Sequence, residues 1–245
     1  MERVDPGTNV LPGPVYSDDW VTLYCGDQAE LVPLLGKVDA VITDPPYSAR
    51  THECNKASQA GASDLTTPYP KPSGGLNFSP NRRALSYGAW SPQDAGYAAT
   101  LWHDAAAGWC VVMTDHNLAP AYEAALSGLG RYVFAPIAYL VSGSRVRLAG
   151  DGPANWAVQI VPARPKTTPY AKWGALPGGY VLPPGQRETK TLVGGKELWI
   201  MRELVRDYSR EDDTVLDPCA GAGTTLVAAR DMRRKSIGIE IDPET

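Results

Sequence analysis

An acidic, proline-rich tetrapeptide behind a short apolar run most restricts the folds open to this chain. The tetrapeptide is Asp44-Pro45-Pro46-Tyr47, and it directly follows the nearly continuous apolar residues 38–43. Such a run is typical of a parallel strand that is covered on both faces of its sheet. Ligand-binding and catalytic groups collect at the carboxyl ends of strands in open α/β sheets. We therefore expect the tetrapeptide to form a stiff loop at the carboxyl edge of a parallel sheet.

A second junction, near the end of the chain, has the composition of a ligand-binding turn between a strand and a helix. It contains Asp217, Pro218, Cys219, Gly221, Gly223, Thr224 and Thr225. Glycines let the backbone approach a ligand closely and let a helix begin beneath it. The turn lacks the lysine of a phosphate-binding loop and the third glycine of a dinucleotide fingerprint. Its opening acid favours a cationic ligand, and Glu240 ends the next strand, where an acid commonly binds ribose hydroxyls. These features describe S-adenosylmethionine.

With both motifs in view, the chain resembles the amino-methyltransferases of nucleic acids, in the circularly permuted arrangement called the beta class. Residues 44–47 match the catalytic motif of that family, and residues 217–225 match its cofactor loop. The catalytic motif precedes the cofactor loop here, which is the order that marks the permuted class. The resemblance covers most of the chain apart from residues 1–18 and two irregular insertions. It implies S-adenosylmethionine as cofactor and DNA as partner.

The resemblance also implies roles for the residues of the catalytic motif. The Asp44 carboxylate and the Pro45 carbonyl would accept the two hydrogens of an exocyclic amine, whose lone pair is otherwise delocalised into the base. Tyr47 would stack on that base, which must leave the duplex to reach the site. Asp rather than Ser before the two prolines favours adenine as the target.

Cofactor contacts are implied with the same residue-by-residue matching. The resemblance assigns the methionine end of the cofactor to Asp217 and the two loop glycines, the ribose to Glu240 and the adenine edge to Asp27. Lys196 matches one residue of a Lys-Pro pair that the family typically has before its cofactor-loop strand, although Glu197 follows here. Cys219 stands where the family commonly has Phe, so we expect a smaller contact beside the cofactor.

The sequence predicts one α/β domain with a Rossmann-like, mostly parallel seven-stranded sheet and one antiparallel hairpin strand. The family order of that sheet is 3-2-1-4-5-7-6, with this chain starting at strand three and ending at strand two. Apolar periodicity predicts strands at 21–24, 38–43, 109–113, 132–140, 156–161, 214–216 and 236–241. It predicts helices at 28–35, 92–107, 117–126, 196–208 and 224–232. Residues 1–18 are expected to form a loose leader.

The two insertions, residues 48–90 and 162–195, are rich in Pro and Gly and have no helical or strand period. Both carry an excess of basic residues although the whole chain has a net charge of -4. Basic loops on an acidic body are expected where loops contact phosphates, although a solvated surface loop has the same composition. We expect the first insertion to lie near the base pocket and the second to recognise the target sequence. Candidate DNA contacts are Arg50, Asn77, Phe78, Arg82, Arg83, Lys166, Tyr170, Lys172, Trp173 and Tyr180. The aromatic residues of the second insertion would fit a small packed cluster equally well.

Several classes of protein are disfavoured by composition. No apolar run approaches the roughly 20 residues that a membrane-spanning helix needs, and residues 1–14 do not have the pattern of a signal peptide. The 4 cysteines lack the paired short spacing of a disulfide framework or a zinc site. His52 with Cys54 is a weak candidate for metal binding, so we predict no metal. A cytosolic protein, in a bacterium or a phage-infected host, is the expectation.

Three alternatives to adenine methylation of DNA remain open at this stage. The same site geometry would serve the exocyclic amine of cytosine. An RNA amine methyltransferase is a second alternative, although no added RNA-binding module is evident. A cofactor-binding protein without catalysis is the third, and an intact Asp44 and Tyr47 argue against it. The compact target-recognition segment further suggests a homodimer. The resemblance also implies that the enzyme is either part of a restriction-modification system or an orphan methylase.

Overall fold

The computed structural model describes residues 10–51, 88–142, 153, 155–166, 173–184 and 195–244. Its strands are β1 (Tyr16–Ser17), β2 (Val21–Cys25), β3 (Val38–Thr43), β4 (Ala106–Thr114), β5 (Arg131–Val133), β6 (Ile137–Leu140), β7 (Ala157–Pro165), β8 (Gly179–Val181), β9 (Thr214–Asp217) and β10 (Lys235–Glu240). Its α-helices are α1 (Gln28–Leu31), α2 (Pro92–Ala105), α3 (Ala119–Gly128), α4 (Leu198–Tyr208) and α5 (Thr224–Asp231), with a 3-10 turn at Val32–Leu34. None of the helices in the described ranges is both long and apolar enough to cross a membrane.

All of these strands join one sheet in the order β1-β2-β10-β9-β3-β4-β7-β6-β8, and β5 also pairs with β7. The strands from β2 to β4 in that order are parallel, whereas β7 runs antiparallel to both β4 and β6. The central order is the one predicted, so the mostly parallel Rossmann-like fold is confirmed. Because β9 and β3 are neighbours, the loops that follow them meet at one edge of the sheet, where the winding reverses.

Helices cover both faces of the sheet and enclose two apolar cores. α1, α2 and α3 pack on one face, where the largest buried side chain is Trp102. α4 and α5 pack on the other face, and α4 buries Ile200, Met201, Leu204, Val205 and Tyr208 there. Each fully buried aliphatic side chain of this size stabilises the fold by about 1.5–3 kcal/mol. The cores thus hold the strand ends that carry the polar loops.

The start of α2 is fixed by its sequence. Ser91 accepts a hydrogen bond from the backbone of Asp94, and the Asp94 side chain bonds back to the Ser91 backbone, which completes a capping box. Pro92 occupies the first helical position, where its missing N–H costs nothing. This cap places the beginning of α2 immediately after Trp90, beside the catalytic motif.

Three expectations from sequence are wrong in detail. The predicted strand 132–140 is two strands, β5 and β6, which pair with different parts of β7 because Pro136 interrupts them. Residues 162–195 are not wholly irregular, since β7 runs on to Pro165 and β8 pairs with β6. The predicted loose leader ends in β1, which pairs with β2. β8 forms against a strand distant from it in sequence, and β1 has only 2 residues, so no local period marks either strand.

Candidate active site

The catalytic motif leaves β3 with its acid held on both oxygens. The Tyr47 hydroxyl donates to Asp44 Oδ1 at 2.8 Å, and Lys196 Nζ donates to Asp44 Oδ2 at 2.5 Å. Only 20% of the Asp44 side chain and 10% of the Lys196 side chain are exposed, so solvent screens this ion pair little. The Lys196 ammonium also lies 4.8 Å from the centroid of the Tyr47 ring. Lys196, predicted as a cofactor contact, therefore contacts the catalytic motif directly.

The cofactor loop uses its glycines for conformation. Gly221 and Gly223 have φ values of 51° and 75°, in the left-handed region that other residues rarely adopt. A Cβ on Gly221 would meet no heavy atom within 4 Å, so the space beside it is open. Gly223 is the N-cap of α5, which begins at Thr224. The loop therefore presents bare backbone and a helix start to this space.

Glu240, at the end of β10, holds the cofactor loop from the neighbouring strand. Its Oε2 accepts a hydrogen bond from the backbone of Gly221 at 2.7 Å, and its Oε1 accepts one from Asp242 at 2.9 Å. Both bonds come from backbone N–H groups, so they fix the carboxylate at the edge of the loop. Glu240 thus lies beside Gly221 at the end of β10.

Asp217 joins the cofactor loop to the catalytic strand. Thr43 Oγ1 donates to Asp217 Oδ1 at 2.7 Å, and the backbone of Cys219 donates to the same oxygen at 3.1 Å. Burial raises the pKa of Asp217 to about 6, and the negative charge of Asp44 adds to this, although hydrogen bonds from Thr225, Thr43 and the Cys219 backbone oppose it. The cofactor loop is therefore bonded, through one buried acid, to the end of β3 directly before the catalytic motif.

The charge of this region decides which nucleoside it fits. Residues 217–225 contain no basic residue, while Asp217, Glu240 and Asp44 surround the loop with carboxylates. A phosphate beside these acids would be repelled, whereas a cationic group would be stabilised. The open space beside Gly221 and this donor set fit S-adenosylmethionine.

Asp27 and Gln28 begin α1 on the cofactor side. The Asp27 side chain accepts a hydrogen bond from the backbone of Ala29 at 2.8 Å, which makes it the N-cap of the helix. Gln28 was not predicted as a site residue, yet its amide donates to Cys219 Sγ at 3.5 Å and accepts from Trp102 Nε1 at 2.8 Å. Gln28 therefore ties the cofactor loop to α2. Its position directly after Asp27 is the only signal in the sequence.

Asp115, just beyond β4, is a second acid that sequence reasoning missed. It is 2% exposed and accepts hydrogen bonds from the Ser48 backbone at 3.0 Å, the Ser48 hydroxyl at 2.5 Å and the Thr51 hydroxyl at 2.6 Å. Burial alone would raise its pKa, but these bonds, together with that from the Leu118 backbone, lower it. An acid at the end of a buried apolar run, as in the catalytic motif itself, was the available signal.

A row of stacked aromatic rings lies beside the catalytic motif. The backbone of Trp90 donates to the Tyr47 carbonyl at 3.0 Å. The Trp90 and Trp102 rings are 6.1 Å apart, and the Trp102 and Tyr122 rings are 5.8 Å apart, with interplanar angles of 26° and 14°. Through Trp90 and Gln28, this row touches both the catalytic motif and the cofactor loop.

The predicted DNA contacts fall in different places. Arg50 is exposed just after the catalytic motif, whereas Lys166 follows the end of β7 at the opposite edge of the sheet. Trp173 packs edge-on against Trp109 at 5.7 Å, beneath Arg210 at 3.6 Å. Outside the described residues lie His52, Cys54, Asn77, Phe78, Arg82, Arg83, Tyr170 and Lys172.

Tyr180 is 3% exposed and donates to Asp207 Oδ2 at 2.8 Å. Trp173 and Tyr180 therefore join the apolar cluster under α4, which favours the packing alternative over base stacking. Among the described residues, no group of three or more His, Cys, Asp or Glu side chains could hold a metal ion.

Comparison with known proteins agrees with this geometry. Residues 196–245 match the model of a DNA methylase family. The Type II methyltransferase M.MjaI of Methanocaldococcus jannaschii is 56% identical over 43 residues, which are 18% of this chain and only 14% of that enzyme. The chain shares its fold and its carboxyl-terminal sequence with the DNA methylases.

Two solved structures show how much of this DNA methylase fold is shared. The crystal structure of the M1.HpyAVI–SAM complex matches with a TM-score of 0.60 and 20% identity, covering 91% of this chain and 94% of that one. The PvuII DNA methyltransferase, described as cytosine-N4-specific, matches with a TM-score of 0.63 and 16% identity, covering 95% and 86%. At these identities the likeness establishes the fold, and the site residues stand on their own geometry.

Proposed function

We propose that this chain transfers a methyl group from S-adenosylmethionine to the exocyclic amine of an adenine flipped out of DNA. The observation that carries the proposal is the Thr43–Asp217 hydrogen bond, which brings the catalytic motif and the glycine loop together at adjacent strand ends. The DNA methylase family match and the SAM complex of M1.HpyAVI support the cofactor and the substrate class.

The cofactor would be held by the residues around the glycine loop. Asp217 and the backbone of Gly221 and Gly223 would take its methionine end, Glu240 its ribose and Asp27 its adenine edge. When bound, S-adenosylmethionine would supply a methyl group on a positively charged sulfur; the carbon–sulfur bond would break as the carbon–nitrogen bond forms, which releases a neutral thioether.

The catalytic motif would make the amine nucleophilic. The Asp44 carboxylate and the Pro45 carbonyl accept the two amine hydrogens, which draws them out of the plane of the base and directs the lone pair outward. As a carboxylate paired with the Lys196 ammonium, Asp44 offers only hydrogen-bond acceptors. The methylated nitrogen then loses one proton to water or to this carboxylate. Asp44 therefore orients the amine and stabilises its developing positive charge.

Lys196 and Tyr47 would prepare Asp44 for this task. Each donates to one carboxylate oxygen, at 2.5 Å and 2.8 Å, and an ionised carboxylate has about four lone-pair sites, so further sites remain for the amine. The carboxylate is thus oriented before a base arrives. Orientation in advance avoids reorganisation during the reaction, which is the usual source of electrostatic catalysis.

Methylation of the cytosine N4 amine is the second candidate. The structural match to PvuII DNA methyltransferase, described as cytosine-N4-specific, favours it. Both bases present an exocyclic amine on an aromatic ring, so the same acceptors would serve either one. We place adenine first because Asp, rather than Ser, precedes the two prolines.

The direct test incubates the protein with S-adenosylmethionine carrying a labelled methyl group, together with mixed DNA or RNA, and identifies the labelled nucleoside after digestion. Label on N6-methyladenine from DNA is expected. Label on N4-methylcytosine selects the second candidate, and label on RNA alone contradicts both. The Asp44→Ala variant should lose about 10²–10⁴-fold in methylation rate while still binding the cofactor. The control variant is Asp19→Ala, which changes an exposed acid and should retain the rate.

Two further expectations accompany this function as proposals. A DNA methylase would act in the cytosol of a bacterium or a phage-infected cell, either in a restriction-modification system or as an orphan enzyme. We also propose that it works as a homodimer, because the target-recognition segment is small. Light scattering on the active protein tests this, and a monomer that methylates duplex DNA with full sequence choice would contradict it.

A further inference from the structure

The peptide group between Tyr47 and Ser48 is held at both of its polar atoms. The Tyr47 carbonyl accepts a hydrogen bond from the Trp90 backbone at 3.0 Å, and the Ser48 backbone donates to Asp115 Oδ2, also at 3.0 Å. Because a peptide group is planar, bonds on its two sides fix its orientation. That orientation sets the direction in which the Tyr47 side chain leaves the backbone toward Asp44.

Asp115 divides its two oxygens between its own strand end and the catalytic motif. Oδ1 accepts from the backbone of Asn117 at 3.0 Å and of Leu118 at 3.1 Å, which anchors the side chain beyond β4. Oδ2 accepts from Ser48 and from the Thr51 hydroxyl. The Asn117 amide also donates to the Ser48 hydroxyl at 3.0 Å. The acid is therefore a rigid link from β4 to the residues that follow Tyr47.

We propose that Asp115 is a positioning residue for methyl transfer, acting through Ser48 to hold Tyr47 and, through the Tyr47 hydroxyl, the Asp44 carboxylate. The inference rests on the proposed function and extends it to a side chain outside both motifs. Asp115 is buried, and among its bonds to residues that follow the motif, those from Ser48 are the ones next to Tyr47. A purely structural acid would stabilise the fold without affecting the rate at saturating substrates, and the experiment separates these roles.

The decisive variant is Asp115→Asn, which keeps the shape of the side chain. In either orientation of the new amide, its NH₂ group faces N–H or O–H donors that bonded to the carboxylate. The matched control is Asp207→Asn, because Asp207 is also buried and hydrogen-bonded, to Tyr180, and lies on α4. We expect kcat of Asp115→Asn to fall by about 10- to 100-fold, as misplacement of reacting groups by about 1 Å does. Its dissociation constant for S-adenosylmethionine should stay within about twofold of the parent. In the control, Tm should fall while kcat is retained.

A second, milder variant covers the case in which Asp115→Asn folds poorly. Ser48→Ala removes the hydroxyl that bonds Asp115 and leaves the backbone donor in place. We expect a smaller fall in kcat, and a double-mutant cycle of Ser48→Ala with Asp115→Asn should be non-additive because the residues are in contact. Additive effects on kcat would mean that Asp115 does not act through Ser48.

Hydrogen–deuterium exchange of residues 44–51 supplies a measurement that needs no activity. Asp115→Asn should speed exchange there, and Asp207→Asn should not. If the parent binds S-adenosylmethionine but methylates no nucleic acid, the proposed function fails. Unchanged hydrogen–deuterium exchange in Asp115→Asn would by itself overturn the positioning role. If the parent methylates DNA and Asp115→Asn retains its kcat, or loses activity only through weaker cofactor binding, the inference fails while the proposed function stands.

Discussion

Two buried acids flank the catalytic motif and bond to its opposite ends. Asp217, at the end of β9, receives the Thr43 hydroxyl just before Asp44, and Asp115, just beyond β4, receives Ser48 just after Tyr47. Both are 2% exposed. Yet the pKa of Asp217 is raised to about 6, whereas the pKa of Asp115 is lowered.

The difference follows from the number of donors and the neighbouring charge. Asp115 accepts five hydrogen bonds, which outweigh the cost of burying its charge. Asp217 has fewer donors, and the charge of Asp44 disfavours its ionisation. Burial alone therefore does not set the state of an acid at a strand end. Asp115 is a fixed anion on the side away from the cofactor loop, and Asp217 titrates close to neutral pH.

The largest expected contrast is in the pH dependence of folding. Asp217 has a folded pKa of about 6 against an ordinary value of 3.8, so between those values the folded state binds more protons than the unfolded state. Its contribution, about 3 kcal/mol, is present below pH 3.8 and is lost as pH rises to about 6. Asp115 acts oppositely, because its contribution is present above pH 3.8 and is lost as pH falls through its lowered pKa. Denaturant unfolding of the parent, Asp217→Asn and Asp115→Asn over this pH range measures both.

Asp217→Asn should remove the loss of stability between about pH 4 and 6, and Asp115→Asn should leave it in place. If the free energy of unfolding depended on pH in the same way in both variants, the two acids would not differ in their folded-state pKa.

A smaller contrast is expected in cofactor affinity. Asp217→Asn removes the negative charge beneath the glycine loop and should weaken binding of S-adenosylmethionine by about 30-fold, equivalent to about 2 kcal/mol. Asp115→Asn should leave this affinity nearly unchanged. Isothermal titration at neutral pH gives both values, and a similar loss in both variants would remove the functional distinction between the two sides.

The same charge predicts that cofactor affinity depends on pH. Below its pKa of about 6 Asp217 is protonated, so S-adenosylmethionine should bind about tenfold more weakly at about pH 5 than at neutral pH. The Asp115→Asn variant should keep this dependence, whereas Asp217→Asn should bind weakly and evenly across the range. A dependence that survives in Asp217→Asn must come from another group.

The smallest expected effect concerns the single bond between the two motifs. Thr43→Val keeps the shape of a fully buried side chain and removes the donor to Asp217, at a cost of about 1 kcal/mol in unfolding free energy. Since the lost bond favours the charged form, the pKa of Asp217 should rise further. Denaturant unfolding and a repeat of the cofactor titration test this, with Ser48→Ala as the matching change on the Asp115 side.

Sequence reasoning recovered one of these acids and not the other. Asp217 opens a glycine-rich turn between a strand and a helix, and this local pattern also located Thr224, Thr225 and the parallel strand behind them. Asp115 lies in no motif, and its partners Ser48 and Thr51 are 67 and 64 residues away. Contacts at that separation depend on strand order, which fixes which loops meet but not which side chains bond.

The same limit explains why the sequence left two roles open for the aromatic residues of the second insertion. Trp173 and Tyr180 lie in a basic, irregular segment, and composition alone allows either DNA contact or packing. Tyr180 is buried because β8, a short strand, pairs with β6 and turns this side chain toward α4. Trp173 precedes β8 and is half-buried against Trp109. β3 was predicted to the residue, because its nearly continuous apolar run is a local feature of the sequence.

The stacked row of Trp90, Trp102 and Tyr122 gives the protein an internal optical reporter. Trp90 bonds to the Tyr47 backbone, and the Trp102 indole bonds to Gln28, which contacts Cys219. A ligand that shifts either loop would change the surroundings of the same pair of indoles. Tryptophan emission would therefore register occupancy of both the base site and the cofactor site in a single unlabelled signal, above a background from the remaining tryptophans, among them the packed pair Trp109 and Trp173.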